Sequence, residues 1–132
     1  MTERATGIFE VALTPQGEPD AAPGAALGRM SIDKQFHGDL VAVGKDEMLT
    51  AMTGVDGSAS YVAIERVTGT LNGRKGSFAL QHTGSANRGA QQLAITVVPD
   101  SGADQLIGIM GELSLNIADG KHFYTFEYSL PD

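Results

Sequence analysis

The chain has 132 residues, 17 of them glycine, and contains no cysteine. The length fits one domain over residues 1–132, and the lack of thiols excludes disulfides, cysteine nucleophiles and cysteine-ligated metal sites. Nine Lys and Arg residues against 16 Asp and Glu residues give a formal net charge of -7, so we expect no nucleic-acid partner and no membrane partner. The first residues, MTERATGIFE, lack an apolar stretch of signal-peptide length, and we therefore expect a cytoplasmic protein.

Alternating apolar segments separated by glycine-containing turns predict an all-β protein with little or no helix. We predict strands near residues 4–13, 27–37, 40–50, 58–71, 74–83, 91–98, 104–110 and 111–130, the last of which holds two strands. The proline-containing segment between the first two strands is typical of an exposed loop. Over Lys45–Met52 a short helix competes with a strand.

The dipeptide Asn72-Gly73 predicts a tight hairpin, because a type I′ turn requires positive φ at both central residues. Counting outwards from this turn fixes which side chains share a face. The face predicted to point inwards carries Tyr61, Ala63, Glu65, Val67, Phe78, Leu80, His82 and Gly84. Glu65 and His82 then lie diagonally across the two strands, roughly 7 to 8 Å apart at the backbone and within side-chain reach.

Asp119-Gly120 predicts a second hairpin in the same way. Its inward face carries Gly111, Leu113, Leu115, Ile117, His122, Tyr124, Phe126 and Tyr128. On its outer face Glu112 lies opposite Glu127, a like-charge pair that a bulge would relieve.

A third charge is predicted to point inwards from the second strand. The apolar phase of the second and third strands contains Met30, Ile32, Phe36, Val41 and Val43. Lys34 falls in the same phase, so its side chain is expected on the inward face.

About eight long strands without helices must either close into a barrel or form two packed sheets. Strands longer than five or six residues favour closure into a single antiparallel barrel. The interior of an eight-stranded barrel is either filled or holds one small ligand. Inward polar residues favour the ligand cavity, because a dry core would have to satisfy each of them.

Several segments carry a resemblance to a known family. They are GSASYVAIERVTGTLNGRKGSFALQH (Gly57–His82), PDSG (Pro99–Gly102), GKHFYTFEYSLPD (Gly120–Asp132), TGIFEV near the start and QFHGDL, which ends at Leu40. With these segments the chain resembles a family of small bacterial proteins of unknown function built on the allene oxide cyclase-like β-barrel. The resemblance implies a closed barrel but no substrate, because the family has no assigned activity. Related barrels include cyclases that bind an apolar substrate, which is an analogy at the level of fold.

Glu65 and His82 are the candidate catalytic residues, as a general acid and base in an apolar barrel. Desolvation is expected to raise the pKa of Glu65 unless His82 or Lys34 opposes it. The alternative is a structural pair that satisfies itself inside the barrel. Candidate ligand-binding residues are Lys34, Tyr61, Phe78, His122, Tyr124, Phe126 and Tyr128. Lys34 either neutralises a ligand carboxylate, pairs with Glu65 or extends to the barrel end.

We expect no metal and no cofactor. The three histidines lack ligand spacing, although a barrel could in principle gather His82, His122 and Glu65, and no glycine-rich phosphate or dinucleotide motif occurs. Two functions remain: a cofactor-independent cyclase or isomerase acting on an apolar substrate inside the barrel, and a non-catalytic ligand-binding or interaction protein. Phe123 and Ile8, predicted to lie outside, indicate an association patch for a homo-oligomer.

Overall fold

The protein is a closed antiparallel β-barrel in a computed structural model that describes residues 2–131. These residues contain no helix and nine strands. The strands are β1 (Thr2–Pro15), β2 (Ala25–Gly38), β3 (Leu40–Thr53), β4 (Ala59–Leu71), β5 (Arg74–Asn87), β6 (Ala90–Val97), β7 (Ala103–Asp104), β8 (Met110–Ala118) and β9 (Lys121–Ser129).

Eight of the strands form a ring in the order β1, β2, β3, β4, β5, β6, β8, β9, with β9 pairing back to β1. Within residues 2–131, the short β7 pairs with β5 alone. The predicted all-β closed barrel is therefore confirmed, and it is consistent with the allene oxide cyclase-like architecture that the resemblance implies. The first and last long strands are neighbours, so both ends of the described chain lie close together.

Both predicted hairpins are confirmed, including their registers. Asn72 and Gly73 have φ values of 45° and 85°, the left-handed conformations that a type I′ turn requires. Glu65 pairs with Leu80 and Ala63 pairs with His82, as counted from the turn. Because side chains alternate along each strand, this register directs Glu65 and His82 into the barrel.

The second hairpin keeps the predicted like-charge pair without a bulge. Glu112 and Glu127 are direct partners in a continuous β8–β9 ladder. The Arg4 Nη2 atom lies 3.0 Å from the Glu127 carboxylate, so a cation from β1 relieves the repulsion that a bulge was expected to relieve.

The strand predicted at 104–110 is wrong. Only Ala103–Asp104 is extended, and the chain then makes successive turns in which the Leu106 N–H donates to Ala103 O and the Ile109 N–H donates to Leu106 O. Leu106 and Ile109 are fully buried among the core residues. Leu106 and Ile109 are therefore turn residues that pack into one end of the barrel.

The predicted inward phase of the third strand is also wrong. Val41 and Val43 are exposed, and Leu40, Ala42, Gly44 and Asp46 point inwards. The β2–β3 ladder pairs Phe36 with Ala42, across a reversal at Gly38 (φ 108°) and Asp39. Lys45–Met52, where a helix was the alternative, is part of the same strand.

One end of the barrel is filled by aromatic and aliphatic side chains. Phe78 and Phe126 stack with ring centroids 5.4 Å apart, and Tyr128 stacks on Phe126 at 5.2 Å. The Tyr124 hydroxyl accepts from the Leu40 N–H at 3.0 Å and donates to His37 O at 2.9 Å. These hydrogen bonds link the reversal between β2 and β3 to β9.

Replacing Tyr124 with phenylalanine should lower the free energy of unfolding by about 1–3 kcal/mol, because it leaves a buried N–H and a carbonyl without a partner. Tyr61→Phe is the matched control: among residues 2–131, the hydroxyls of Tyr124 and Tyr128 bond to protein groups and that of Tyr61 does not. Urea denaturation measures both variants. Equal stabilities for the two variants would contradict the assigned role of the Tyr124 hydroxyl.

The barrel wall has one weakly paired seam. Within residues 2–131, Thr96 and Glu112 are the one residue pair that joins β6 to β8. A cleft of about 420 Å³ lies along this seam, with Leu93, Ile95, Leu113 and Leu115 among its lining residues. The two strands diverge towards the end of the barrel opposite the packed aromatic side chains.

Candidate functional site

Four ionisable side chains converge inside the barrel from four neighbouring strands. We call Lys34 (β2), Asp46 (β3), Glu65 (β4) and His82 (β5) the polar cluster; each is at most 8% exposed. Their strand registers explain the convergence, since Asp46 is the direct partner of Glu65 and His82 pairs with the residue two before Glu65. Lys34 lies opposite Gly44, and its long side chain reaches the same layer.

Glu65 is the centre of the polar cluster. Its Oε1 atom lies 3.1 Å from Lys34 Nζ and 2.8 Å from His82 Nε2. Lys34 Nζ also lies 3.3 Å from Asp46 Oδ2, and 5.4 Å from the centre of the Phe9 ring. One ammonium therefore bridges two carboxylates, with an aromatic face on another side.

Gly44 makes room for the Glu65 carboxylate. A Cβ atom at this position would overlap Glu65 Oε2 and come within 3.1 Å of the Phe36 ring. The missing side chain in β3 thus forms the space in which the polar cluster fits.

The two carboxyl groups have opposite pKa shifts. Burial, reinforced by the negative charge of Glu65, raises the pKa of Asp46 to about 7. Burial also acts to raise the pKa of Glu65, but the hydrogen bonds and charges of His82 and Lys34 outweigh burial and hold that pKa below its ordinary value. Glu65 is therefore a fixed anion, and Asp46 is the group that titrates near neutral pH.

Two oxygens of the polar cluster lack hydrogen-bond partners in the described part of the chain. They are Asp46 Oδ1 and Glu65 Oε2, both inaccessible to solvent. The Lys34 ammonium and the His82 Nε2 atom, in contrast, already contact carboxylates. The polar cluster thus has acceptors that are free to bind a donor.

The polar cluster also has a donor set that suits a metal ion. Ligand atoms of Asp46, Glu65 and His82 lie within 4.8 Å of one another. However, the Lys34 ammonium contacts the same two carboxylates, so a metal cation bound there would compete with it. His122, considered for such a site from the sequence, instead packs its ring 5.1 Å from Phe9.

An apolar pocket of about 400 Å³ opens at the unfilled end of the barrel. We call it the mouth pocket; its lining residues include Met30, Met48, Met52, Tyr61, Gly84 and Leu93. Along β3, Met48 follows Asp46 on the inward face, and along β2, Met30 precedes Lys34 on that face by two pleats. The mouth pocket therefore lies directly above the polar cluster.

Tyr61 lies between the mouth pocket and the polar cluster. Its ring packs against Gly84, where a Cβ atom would overlap the ring. Burial raises the pKa of Tyr61, the charge of Lys34 lowers it and that of Asp46 raises it further, so the hydroxyl is close enough to feel both groups. Tyr61 is thus the residue that connects the mouth pocket with the charges below.

Large apolar side chains around the mouth face inwards and yet are exposed. They are Leu13 (54%), Met52 (57%), Leu93 (46%) and Ile117 (67%). Each points to the same face of its strand as buried residues further along that strand. Leu93, for example, points to the same face as the buried Ile95. The interior of the barrel is consequently open and apolar at this end.

The structure distributes the predicted site residues over three regions. Lys34, Glu65 and His82 meet in the polar cluster, and Tyr61 lines the mouth pocket. The packed end of the barrel holds Phe78, Tyr124, Phe126 and Tyr128, and His122 lies half-buried beside Phe9.

Sequence reasoning missed Asp46 and the methionines of the mouth pocket. The signal for Asp46 lay in the turn between the second and third strands. A reversal centred on Asp39, rather than a two-residue turn, pairs Phe36 with Ala42 and directs Asp46 inwards.

Fold and site together define a small antiparallel barrel with a charged layer inside and an apolar opening above it. Residues 5–128 match the family described as "Protein of unknown function (DUF3224)", and the chain belongs to this family. A solved structure from Shewanella oneidensis MR-1, a protein of unknown function from the same family, is 46% identical and superposes with a TM-score of 0.94 over 100% of both chains. No curated protein matches the sequence. Among the described residues, no helix has the length and apolar character needed to cross a membrane.

Proposed function

We propose that this protein binds a small, mostly apolar molecule in the mouth pocket and acts on it as a cofactor-independent isomerase or cyclase. The observation that carries this proposal is the exposed, inward-facing apolar surface lying directly above the buried polar cluster. Proton transfer between the polar cluster and the bound molecule would be the chemical step.

The mouth pocket has the properties of a ligand site. Its volume of about 400 Å³ is in the usual range for small-molecule pockets. Three methionines contribute flexible, polarisable side chains that adapt to differently shaped apolar ligands. Because water gains little from contact with such a surface, an apolar ligand would be favoured there.

The polar cluster supplies complementary proton donors and acceptors. Asp46 titrates near neutral pH, where a general acid or base is most effective. Burial and the negative charge of Glu65 raise the pKa of Asp46 to this range. Glu65 and His82, the residues predicted from the sequence, lie beside Asp46, and Glu65 Oε1 is 2.8 Å from His82 Nε2. Tyr61 provides a hydroxyl between Asp46 and the ligand.

The second candidate function is non-catalytic ligand binding, and the depth of the polar cluster favours it. Glu65 is fully buried and His82 nearly so, below the Tyr61 ring. In this case the charged residues stabilise the barrel and orient a ligand, which is later released without chemical change.

Replacing Met52 with aspartate should weaken binding of the neutral apolar dye Nile red at least about tenfold, because it places a charge in the apolar wall of the mouth pocket. Fluorescence titration measures the affinity. The matched control is Ile107→Asp, which changes another exposed apolar residue, one away from the mouth pocket, and should bind like the parent protein. Equal weakening in both variants, or no saturable binding to the parent, would contradict the proposed site.

Compounds that displace Nile red separate the two candidate functions. Each is incubated with the protein in D2O and analysed by mass spectrometry. An isomerase acting through proton transfer rearranges a bound compound or exchanges its carbon-bound hydrogen for deuterium, whereas a binding protein releases every compound unchanged.

Other expectations from the sequence remain predictions. They are the cytoplasmic location, the absence of nucleic-acid and membrane partners, and the lack of a metal or cofactor. Ile8 and Phe123, the expected association patch, are direct partners in the β1–β9 ladder, with Ile8 half-buried and Phe123 exposed. Their adjacency supports the proposal of a homo-oligomer.

A further inference from the structure

We propose that the site selects amphipathic amines, with the apolar body in the mouth pocket and the ammonium group donating hydrogen bonds to the Asp46 carboxylate. This inference rests on the proposed function and names the chemical class of its ligand. It follows from the hydrogen-bonding capacity of the polar cluster, from its charge and from the position of Asp46.

Within residues 2–131, the polar cluster contains buried hydrogen-bond acceptors that are not paired with a donor. In the described part of the chain, Asp46 Oδ1 and Glu65 Oε2 are buried acceptors without a donor. The two cationic or polar donors, Lys34 Nζ and His82 Nε2, already contact carboxylate oxygens at 2.8–3.3 Å. A ligand head group that donates a hydrogen bond would satisfy Asp46 Oδ1, whereas a head group that only accepts hydrogen bonds would leave this buried oxygen unpaired.

The charges of the polar cluster point to the same head group. With both carboxyl groups ionised, the Lys34 ammonium faces two negative charges. A ligand ammonium at Asp46 offsets the second of these charges in a site where unpaired charge is costly. A ligand carboxylate would add a third negative charge, so the hypothesis that Lys34 neutralises such a group does not fit its contacts.

The position of Asp46 makes it the acceptor for a ligand in the mouth pocket. Asp46 and Met48 are successive inward-facing residues of β3, and Met48 lines the mouth pocket. Tyr61, whose ring packs against Gly84, lines the mouth pocket, so a head group that extends to Asp46 would pass this ring, whose face can contact a cation. Glu65 Oε2 instead lies against Gly44, on the side of the wall.

Methionine methyl resonances test the inference without a known ligand. The protein is labelled with 13C at the methionine methyl groups and titrated at pH 8 with octylamine, octanol and octanoate, which share one chain length. Met30, Met48 and Met52 should shift with octylamine, while Met110, which lies outside the mouth pocket, should not. Octylamine should bind at least about tenfold more tightly than octanol, and octanoate should bind most weakly.

Two aspartate variants show whether Asp46 is the acceptor responsible for the preference for octylamine over octanol. In Asp46→Asn, octylamine and octanol should bind within about twofold of each other, because the shape is kept and the charge is lost. Asp33→Asn removes an exposed aspartate that pairs with Lys45 on the outer surface, and should keep the preference for octylamine.

The outcomes distinguish this inference from the proposed function. Equal affinities for octylamine and octanol in the parent protein, or a preference for octanoate, would overturn the amine inference while methyl shifts at Met30, Met48 and Met52 still support an apolar site. A preference that survives in Asp46→Asn would overturn the role of Asp46. No methyl shift with any of the three compounds would overturn the inference and the proposed function together.

Discussion

Replacing Lys34 with methionine should lower the free energy of unfolding by about 3–5 kcal/mol at pH 8, the largest effect that we expect from one substitution. The Lys34 ammonium lies 3.1 Å from Glu65 and 3.3 Å from Asp46. Methionine keeps most of the apolar stem but removes the ammonium that bridges two neighbouring buried carboxylates, so it removes most of what compensates their repulsion and desolvation. Urea denaturation at pH 8 measures the loss.

A matched control and a rescue variant define the cause of this loss. Lys45→Met removes another β-strand lysine that pairs with an aspartate, but this pair is exposed, so the expected loss is about 0–1 kcal/mol. Lys34→Met combined with Glu65→Gln should recover part of the stability, because it removes one of the stranded charges. A loss below about 1 kcal/mol in the single variant would show that Lys34 does not stabilise the carboxylates of the polar cluster.

Replacing Asp46 with asparagine should raise the free energy of unfolding by about 2–4 kcal/mol at pH 9. The pKa of Asp46 is raised from 3.8 in its ordinary environment to about 7 in the folded protein. Between these values the folded state holds a proton that the unfolded state releases, so the contribution of Asp46 to stability falls as the pH rises. Above pH 7 the penalty is complete, and asparagine removes it.

The stability difference between parent and Asp46→Asn should therefore be small at pH 4, grow until about pH 7 and then stay constant. Urea denaturation across this pH range measures the difference. Asp33→Asn, on the outer surface, should show no such growth. A difference that is the same at pH 4 and pH 9 would contradict the raised pKa of Asp46.

Local turn chemistry explains which parts of the fold were predictable. The Asn72-Gly73 turn sets the register of two whole strands, because side chains alternate with a period of two residues. Glu65 and His82 were therefore placed correctly in the interior from sequence alone. Lys34 was placed correctly because it shares the phase of Ile32 and Phe36 on its own strand.

Asp46 escaped prediction because the outer face of β3 is as apolar as its inner face. Val41 and Val43 on the exposed face gave a stronger hydrophobic alternation than Ala42 and Gly44 on the buried one. Gly44 is small because the Glu65 carboxylate fills its space. The space that the polar cluster needs thus weakened the hydrophobic pattern of β3, the strand that carries Asp46.

The open mouth depends on contacts between distant strands, which local patterns do not encode. Ile117 was predicted on the inward face but is exposed, and Leu93 of β6, which has the same inward phase, is exposed too, because β6 and β8 diverge there. Likewise, Leu106 and Ile109 suggested a strand and instead fill the opposite end of the barrel. The apolar pattern predicted an inward face in the first case and burial in the second, but not the shape of the surrounding surface.

The seam between β6 and β8 gives the barrel wall an uneven stiffness. The other neighbouring long strands are joined by continuous ladders, whereas this seam has the pair Thr96–Glu112 as its one direct connection in the described chain. Spreading the wall along this line breaks few hydrogen bonds, so the cross-section of the mouth can change while the strands that carry the polar cluster stay fixed. The barrel thereby combines a continuously hydrogen-bonded half, which holds the charges in place, with a weakly paired half at which a ligand of the proposed kind would be accommodated.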